Sequence, residues 1–418
     1  MRPLLFFFAC SLALAQSGDW LITATSFGAP QYLGVELKFD GERVTGRQGN
    51  ITMEGTLRGG RIELEGKQPN GNVAGKLTGT LAGEEMKGEG TIGPNSVTWT
   101  ARRIKDRPAT PQTHRFTPTE FHNYFSALIP PALTIFPGDT VESWSVDAGG
   151  VDAQGVRRSQ GGNPLTGPFY IEGAMPGDTL VVRFTRIRLT RDTARSGQRV
   201  TAGALNPGYF AQQQNVQGFD STWALDRQAG VARLAKPSDK LKDYRVPLKP
   251  MLGCVGVAPP QQQSFRSGYP GTFGGNMDYN QLVEGTTVYL PIYHPGALLF
   301  VGDGHAAQGD GELTGDALET STEWTFTVDT IRGQAINNPR FENAESWMAS
   351  GIANSLPEAL QAATTNLSRW LEEEYKLNTA EIGVVLGTSM RYEIAEVVDP
   401  QVHVVARISK SLLAQIPK

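Results

Sequence analysis

Cysteine is nearly absent. Cys10 and Cys254 are the only two in 418 residues, which excludes a disulfide framework and a four-thiolate zinc site. Charge is sparse as well: charged residues make up 19%, and 38 basic against 42 acidic side chains leave a formal net charge of −4. With a pI near 5.9, that balance argues against nucleic acid or an anionic membrane surface as a partner. No apolar run reaches the roughly 20 residues a membrane-spanning helix needs. Several catalytic signatures are missing too: there is no G-x-S-x-G elbow, no H-E-x-x-H, no C-x-x-C and no P-loop. Gly302-Asp-Gly-His-Ala-Ala and Gly309-Asp-Gly-Glu-Leu-Thr both lack the third glycine of a dinucleotide-binding turn.

What the chain has in quantity is turn formers, 48 glycines and 26 prolines, with an apolar content of 39% that is too high for wholesale disorder. This composition points to a mainly β protein. Met1-Arg2 precedes an apolar stretch from Pro3 to Ala15 that closes on Ala13-Leu14-Ala15. That pattern predicts a cleaved export signal over 1–15, a periplasmic or extracellular location, and a mature chain whose only thiol is Cys254.

From 16 to 106 short alternating runs are separated by glycine, as in Gly34-Val-Glu-Leu-Lys-Phe39, Ile51-Thr-Met-Glu-Gly-Thr-Leu57, Arg61-Ile-Glu-Leu-Glu65 and Ser96-Val-Thr-Trp-Thr-Ala-Arg102. Period-two alternation with regular turns predicts a small antiparallel β meander or barrel. The polar, proline-bearing stretch Arg107 to Thr113 reads as a linker. Beyond it, strand-like runs resume over 114–330. Pro137-Gly-Asp139 and Pro176-Gly-Asp178 each introduce a strand, and turn chemistry explains both aspartates better than ligand binding does. The tail, 331–418, reads as α+β. Leu356, Leu360, Ala363, Leu367, Trp370 and Leu371 recur at helical spacing, a shorter helix opens at Thr379, and two strands flank Asp399-Pro400.

The densest polar segment is Val301-Gly-Asp-Gly-His-Ala-Ala-Gln-Gly-Asp-Gly-Glu312. In extended chain, Asp303 and His305 face one side, and the intervening glycines let a ligand approach closely. Asn276 and Asp278 repeat the same spacing in Gly274-Gly-Asn-Met-Asp278. An imidazole among carboxylates is a mixed N/O set suited to zinc with an open position. Taken alone, these segments are equally readable as turns or as structural calcium loops. Cys254 lies in the apolar run Met251-Leu-Gly-Cys254, which suits a packed thiol better than a nucleophile. His114 and His403 read as structural or exposed, and His294 as a turn residue.

Asn163-Pro-Leu-Thr-Gly-Pro-Phe-Tyr-Ile-Glu-Gly-Ala-Met-Pro-Gly-Asp178 resembles the acetamidase/formamidase family. So do Pro130-Pro-Ala-Leu-Thr-Ile-Phe-Pro-Gly-Asp139, Gly253-Cys-Val-Gly-Val-Ala-Pro259, Gly274-Gly-Asn-Met-Asp278 and the stretch Gly296 to Glu312. The likeness runs from about His114 to the C-terminus and leaves the N-terminal module outside it. It implies a sandwich-like catalytic body over 114–418, metal-dependent hydrolysis of short amides or lactams, and a homo-oligomer. On that likeness the expected ligands of a divalent metal are Asp147, Asp278 and His305, with Asn276 and Asp303 in or beside the shell. Zinc is the expected metal, with calcium as a possible addition. Glu172 and Glu312 are the expected proton carriers, and His122 is a candidate for the pocket. The competing expectation is a non-catalytic exported β-sandwich that binds a ligand around a structural metal.

Overall fold

The computed structural model describes residues 17–213 and 217–417. The export signal expected over 1–15 lies outside them. The chain divides into two compact units between Arg107 and Pro108.

The first unit is a closed barrel of eight strands running from Gly18 to Arg103. The strand Gly18–Ser26 pairs antiparallel with both Ala29–Asp40 and Asn95–Arg103, which closes the sheet on itself and leaves no open edge. Alternation sends Trp20, Ile22, Leu37, Phe39, Ile62, Leu64 and Trp99 inward, where they pack into one core. Side chains fill this barrel. Glycine inside the strands has a purpose that its role in turns does not reveal: a β-carbon at Gly55 would stand 1.9 Å from the Glu63 carbonyl oxygen, and one at Gly88 1.9 Å from that of Thr78. The strands bend too tightly there for any side chain.

The second unit packs two mixed sheets over a common core. In the six-stranded sheet the order is Leu133–Ile135, Leu165–Ile171, Leu299–His305, Met251–Gly256, Gly274–Asn276, Pro270–Gly271. The nine-stranded sheet includes Thr140–Ser145, Thr179–Leu189, Thr287–Pro291, Thr322–Ile331 and Ser346–Ala353. Phe169, Leu299 and Val301 of the first sheet meet Val182, Phe184, Trp324 and Phe326 of the second. The ring of Phe169 stands edge-on to Trp324 at 6.1 Å and to Phe326 at 5.5 Å. A small four-stranded sheet, Thr193–Arg195 to Val246–Pro247, carries its own cluster around Trp223.

The two Pro-Gly-Asp segments are the same turn used twice. Asp139 accepts the backbone N–H of Phe136 at 3.0 Å, and Asp178 accepts that of Met175 at 3.1 Å.

The tail is more integrated than its sequence suggests. Its strands Arg391–Glu396 and Val402–Ser409 form one edge of the nine-stranded sheet, beside Ser346–Ala353. The helix Leu356–Tyr375 is capped by Ser355 and buries Ala359, Ala363, Leu367, Trp370 and Leu371. Leu356 and Leu360, expected on that buried stripe, are exposed. The face that packs is set by small residues: a β-carbon at Gly351 would lie 1.9 Å from the Ala359 carbonyl oxygen, so helix and sheet nearly touch. The second helix, Thr379–Ser389, is capped by Asn378 in a capping box with Glu381 rather than by Thr379.

Candidate active site

The strand Leu299–His305 is buried along its whole length, between Leu165–Ile171 and Met251–Gly256. Asp303 adopts a left-handed conformation inside it, φ 59°. Its Oδ1 stands 3.4 Å from Nε2 of His305, so both side chains share one side of the sheet. Across from His305, an isolated bridge brings in Glu319, whose Oε1 lies 3.1 Å from the same Nε2.

Two groups of ligating atoms, each within 4.8 Å, share that imidazole. One joins Asp303, His305 and Glu319; the other joins Asp278, His305 and Glu312. Asp278 (φ 41°), Asp303 (φ 59°) and Glu312 (φ 44°) are all left-handed, as is the adjoining Asn163 at 57°. Such backbone costs of order 1–3 kcal/mol per residue and collects at functional sites.

Amides and a thiol hold the carboxylates in place. Asn276 donates from Nδ2 to Oδ2 of Asp278 at 2.6 Å and to Oδ2 of Asp399 at 2.7 Å. Asn163 donates to Asn276 Oδ1 and to Asp303 Oδ2, both at 3.1 Å. The Cys254 thiol donates to Asn276 Oδ1 at 2.7 Å. The tail closes this side: Gly311 bridges to Glu396, whose Oε2 accepts the N–H groups of Val398 and Asp399.

The electrostatics are those of crowded, desolvated acids. Burial, then the neighbouring Glu312 and Asp303, raises the pKa of Asp278 well above the carboxylate range. Burial also raises Glu312, against the pull of His305. It lifts Glu319 to about 7 and Asp399 to about 7. Glu396 reaches about 8 through burial and the adjoining Asp399. Burial opposes the His305 imidazolium, but Glu319 and Asp303 outweigh it and raise that group well above the ordinary value. The Cys254 thiol is pushed up by burial and then by the surrounding acids; it has no nucleophile's environment.

A divalent cation fits these residues. Asp278 Oδ1, Asp303 Oδ1, His305 Nε2 and Glu319 Oε2 are buried and make no hydrogen bond, although buried polar atoms are ordinarily satisfied. Each of the two groups that share His305 offers a divalent cation carboxylate oxygens and one imidazole nitrogen.

The structure brings together five of the residues expected from sequence: Asn276, Asp278, Asp303, His305 and Glu312. Asp147 belongs to neither ligating group. Its Oδ1 accepts the N–H of Val151 at 2.8 Å and its Oδ2 binds the guanidinium of Arg191, so both oxygens are engaged by its own loop and a cation already present. Glu172 follows the strand Leu165–Ile171 at its far end. Leu165 pairs with Gly302, and seven residues at about 3.3 Å each place Glu172 roughly 20 Å along the sheet. His122 bridges to Leu165 and presents its ring edge-on to Phe300 at 6.5 Å; it borders the site but belongs to neither group. His294 bonds the Pro259 carbonyl at 2.7 Å, and His114 bonds Asp139 at 2.8 Å.

Sequence reasoning missed Glu319, Gln308, Asp399 and Glu396. Glu319 and Asp399 sit in no motif, and Gln308 lies inside the glycine-rich segment with no spacing that sets it apart. Asn163 opens the segment Asn163 to Asp178, whose likeness to the family gives its amide no role of its own.

A sequence model of the Acetamidase/Formamidase family matches residues 109–268 and 261–372. A formamidase of Methylophilus methylotrophus is 25% identical over 281 residues, 53% of this chain and 68% of that protein. An acetamidase of Mycolicibacterium smegmatis is 26% identical over 270 residues, 51% of this chain and 66% of that protein. Among solved structures, an acetamidase from Yersinia enterocolitica superposes with a TM-score of 0.60 at 30% identity, covering 73% of this chain and 94% of that one. The matched family sequence begins beyond the barrel and contains all but the tail's share of the carboxylate cluster. The chain belongs to the acetamidase/formamidase family of amide hydrolases.

Proposed function

We propose that this chain hydrolyses a short linear amide to a carboxylate and ammonia, or opens a small lactam, with a zinc ion held by Asp303, His305 and Glu319. The observation that carries the reading is the convergence on one imidazole nitrogen: His305 Nε2 and Asp303 Oδ1, buried and without hydrogen bonds, stand 3.4 Å apart, and Glu319 Oε1 lies 3.1 Å from the same nitrogen. Amides are poor electrophiles, and a bound divalent ion supplies both polarisation of the carbonyl and a water of lowered pKa.

The protein's own groups do the rest. Asn163 fixes Asp303 through its Oδ2 and so leaves Oδ1 directed at the imidazole. Asn276 donates from one amide nitrogen to both Asp278 and Asp399 and so fixes both carboxyls. Asp278 and Glu312, within 4.8 Å of the shared imidazole, are the carboxyls placed to take a proton from water and return it to the departing nitrogen. Burial of the whole group excludes bulk water from that exchange.

The test is turnover by purified protein: ammonia from formamide and acetamide, and a free amine from a small lactam. Activity should disappear with a chelator, return with zinc, and be lost in His305→Ala together with the bound metal. Metal-loaded protein that turns over no amide in a broad panel, or activity indifferent to chelation, overturns the reading.

A further inference from the structure

An imidazole offers a lone pair on one nitrogen when the other carries hydrogen, so His305 can serve only one of the two carboxylate groups that share it. The neighbour that decides is Gln308. Its Oε1 lies 3.0 Å from Nδ1 of His305, while its Nε2 donates to the backbone carbonyls of Asp278 and of Ala395. Both carbonyls accept only, which fixes the amide nitrogen on their side and the amide oxygen on the imidazole side. An amide oxygen cannot donate. Nδ1 therefore carries a hydrogen, which leaves Nε2 as the nitrogen that can offer a lone pair to a cation.

The surroundings of the two nitrogens agree. At Nε2, Glu319 Oε1 stands at 3.1 Å and Asp303 Oδ1 at 3.4 Å, and Nε2 itself makes no hydrogen bond. At Nδ1 the nearest carboxylate oxygen of Asp278 is 3.9 Å away, and Gln308 already occupies the hydrogen. We infer that Gln308 is a positioning residue, which directs Nε2 of His305 to the cation and selects Asp303 and Glu319, not Asp278 and Glu312, as its companions. The inference rests on the reading of a cation-dependent site given above. The backbone carbonyl of Ala395 belongs to the C-terminal strand Arg391–Glu396, so the same amide makes the tail part of the arrangement.

Such outer partners orient a ligating imidazole, and their loss costs roughly 10–100-fold in metal affinity. The test begins with the wild-type protein labelled with ¹⁵N-histidine and loaded with ¹¹³Cd. The chain has five histidines, so each ring is resolvable. One-bond coupling at Nε2 of His305 is expected, and coupling at Nδ1 overturns the assignment. Competition with a chelator should then show Gln308→Met, which keeps the size and loses the acceptor, binding zinc roughly 10–100-fold more weakly. Gln308→Glu, which keeps an acceptor for Nδ1–H, should keep coupling at Nε2, and coupling at Nδ1 in that variant overturns the proposal. Zinc affinity in Gln308→Met within twofold of wild type overturns the proposal. If Gln308→Met fails to fold, the wild-type coupling decides. A wild-type protein that takes up neither zinc nor cadmium overturns the parent reading, and this assignment with it.

Discussion

Gly253 faces Asp303 across neighbouring strands, and the absence of a side chain at 253 is what gives the Asp303 carboxylate its place. Leu252 pairs with Gly304 and Cys254 with Gly302. A β-carbon on the glycine between them would stand 2.5 Å from Asp303 Oδ2 and 2.3 Å from Asp278 Oδ1. Gly253→Ala must therefore push both carboxylates back by about 1 Å to reach ordinary contact. We expect bound metal to be lost and stability to fall by about 1–3 kcal/mol, as for other overpacked sites. Metal analysis and denaturant unfolding measure both. Adding Asp303→Ala to that variant should restore part of the lost stability, since one of the two clashes is with that side chain. A stoichiometrically metallated Gly253→Ala would contradict this account.

Cys254 is a donor, not a nucleophile. The thiol is fully buried and gives its hydrogen to Asn276 Oδ1, a task a hydroxyl also performs. Cys254→Ser should keep amide turnover within a few-fold of wild type. Iodoacetamide should leave the native protein unmodified and label it in denaturant. Rapid alkylation of the native protein with matching loss of turnover would reverse this assignment.

His403 makes folding pH-dependent. It is fully buried, with Nδ1–H donating to the Met277 carbonyl at 2.7 Å and Nε2 accepting from Ser350 at 2.8 Å. Burial lowers its pKa to about 4, below the ordinary value of about 6.5. As pH falls below about 6.5 the unfolded chain takes up the proton first, so the stabilisation present at neutral pH is lost on the way to about 4. The shift corresponds to on the order of 3 kcal/mol. His403→Gln can keep both hydrogen bonds without titrating. Comparison of urea midpoints at pH 7 and pH 4.5 should show wild type losing more stability than the variant, with other titrating groups common to both. Parallel profiles would count against it.

The barrel and the body each hold a core of their own. Residues 17–107 expressed alone should unfold cooperatively, with a near-ultraviolet signal from the buried Trp20 and Trp99. Residues 108–418 alone should still release ammonia from formamide or acetamide. A folded body without turnover would mean that the barrel takes part in the chemistry.

Much of the site was legible because it is local. Asp303 with His305, and Asn276 with Asp278, sit two residues apart, and extended backbone puts such pairs on one side whatever the rest of the chain does. Glu172 and Asp147 lay in recognisable segments, but a strand's length carried one away from the imidazole and an arginine engaged the other. Local sequence reports neither. The helix at Leu356–Tyr375 shows the same limit: its spacing announced a helix, while the close approach of Gly351 to Ala359 decided which residues it buries.

By itself, the sequence determined that the chain would be β-rich, that glycine-punctuated alternation would build a small module ahead of a larger one, and that an imidazole would stand among acids. Those properties follow from period-two patterning and from residues close in the chain. Only the tertiary structure decided which acids face His305, which nitrogen it offers, and that the tail closes the site. Asn276 and Asp399 are 123 residues apart and meet at 2.7 Å. Contacts of that kind arise from the order of strands in a sheet, which no local pattern encodes.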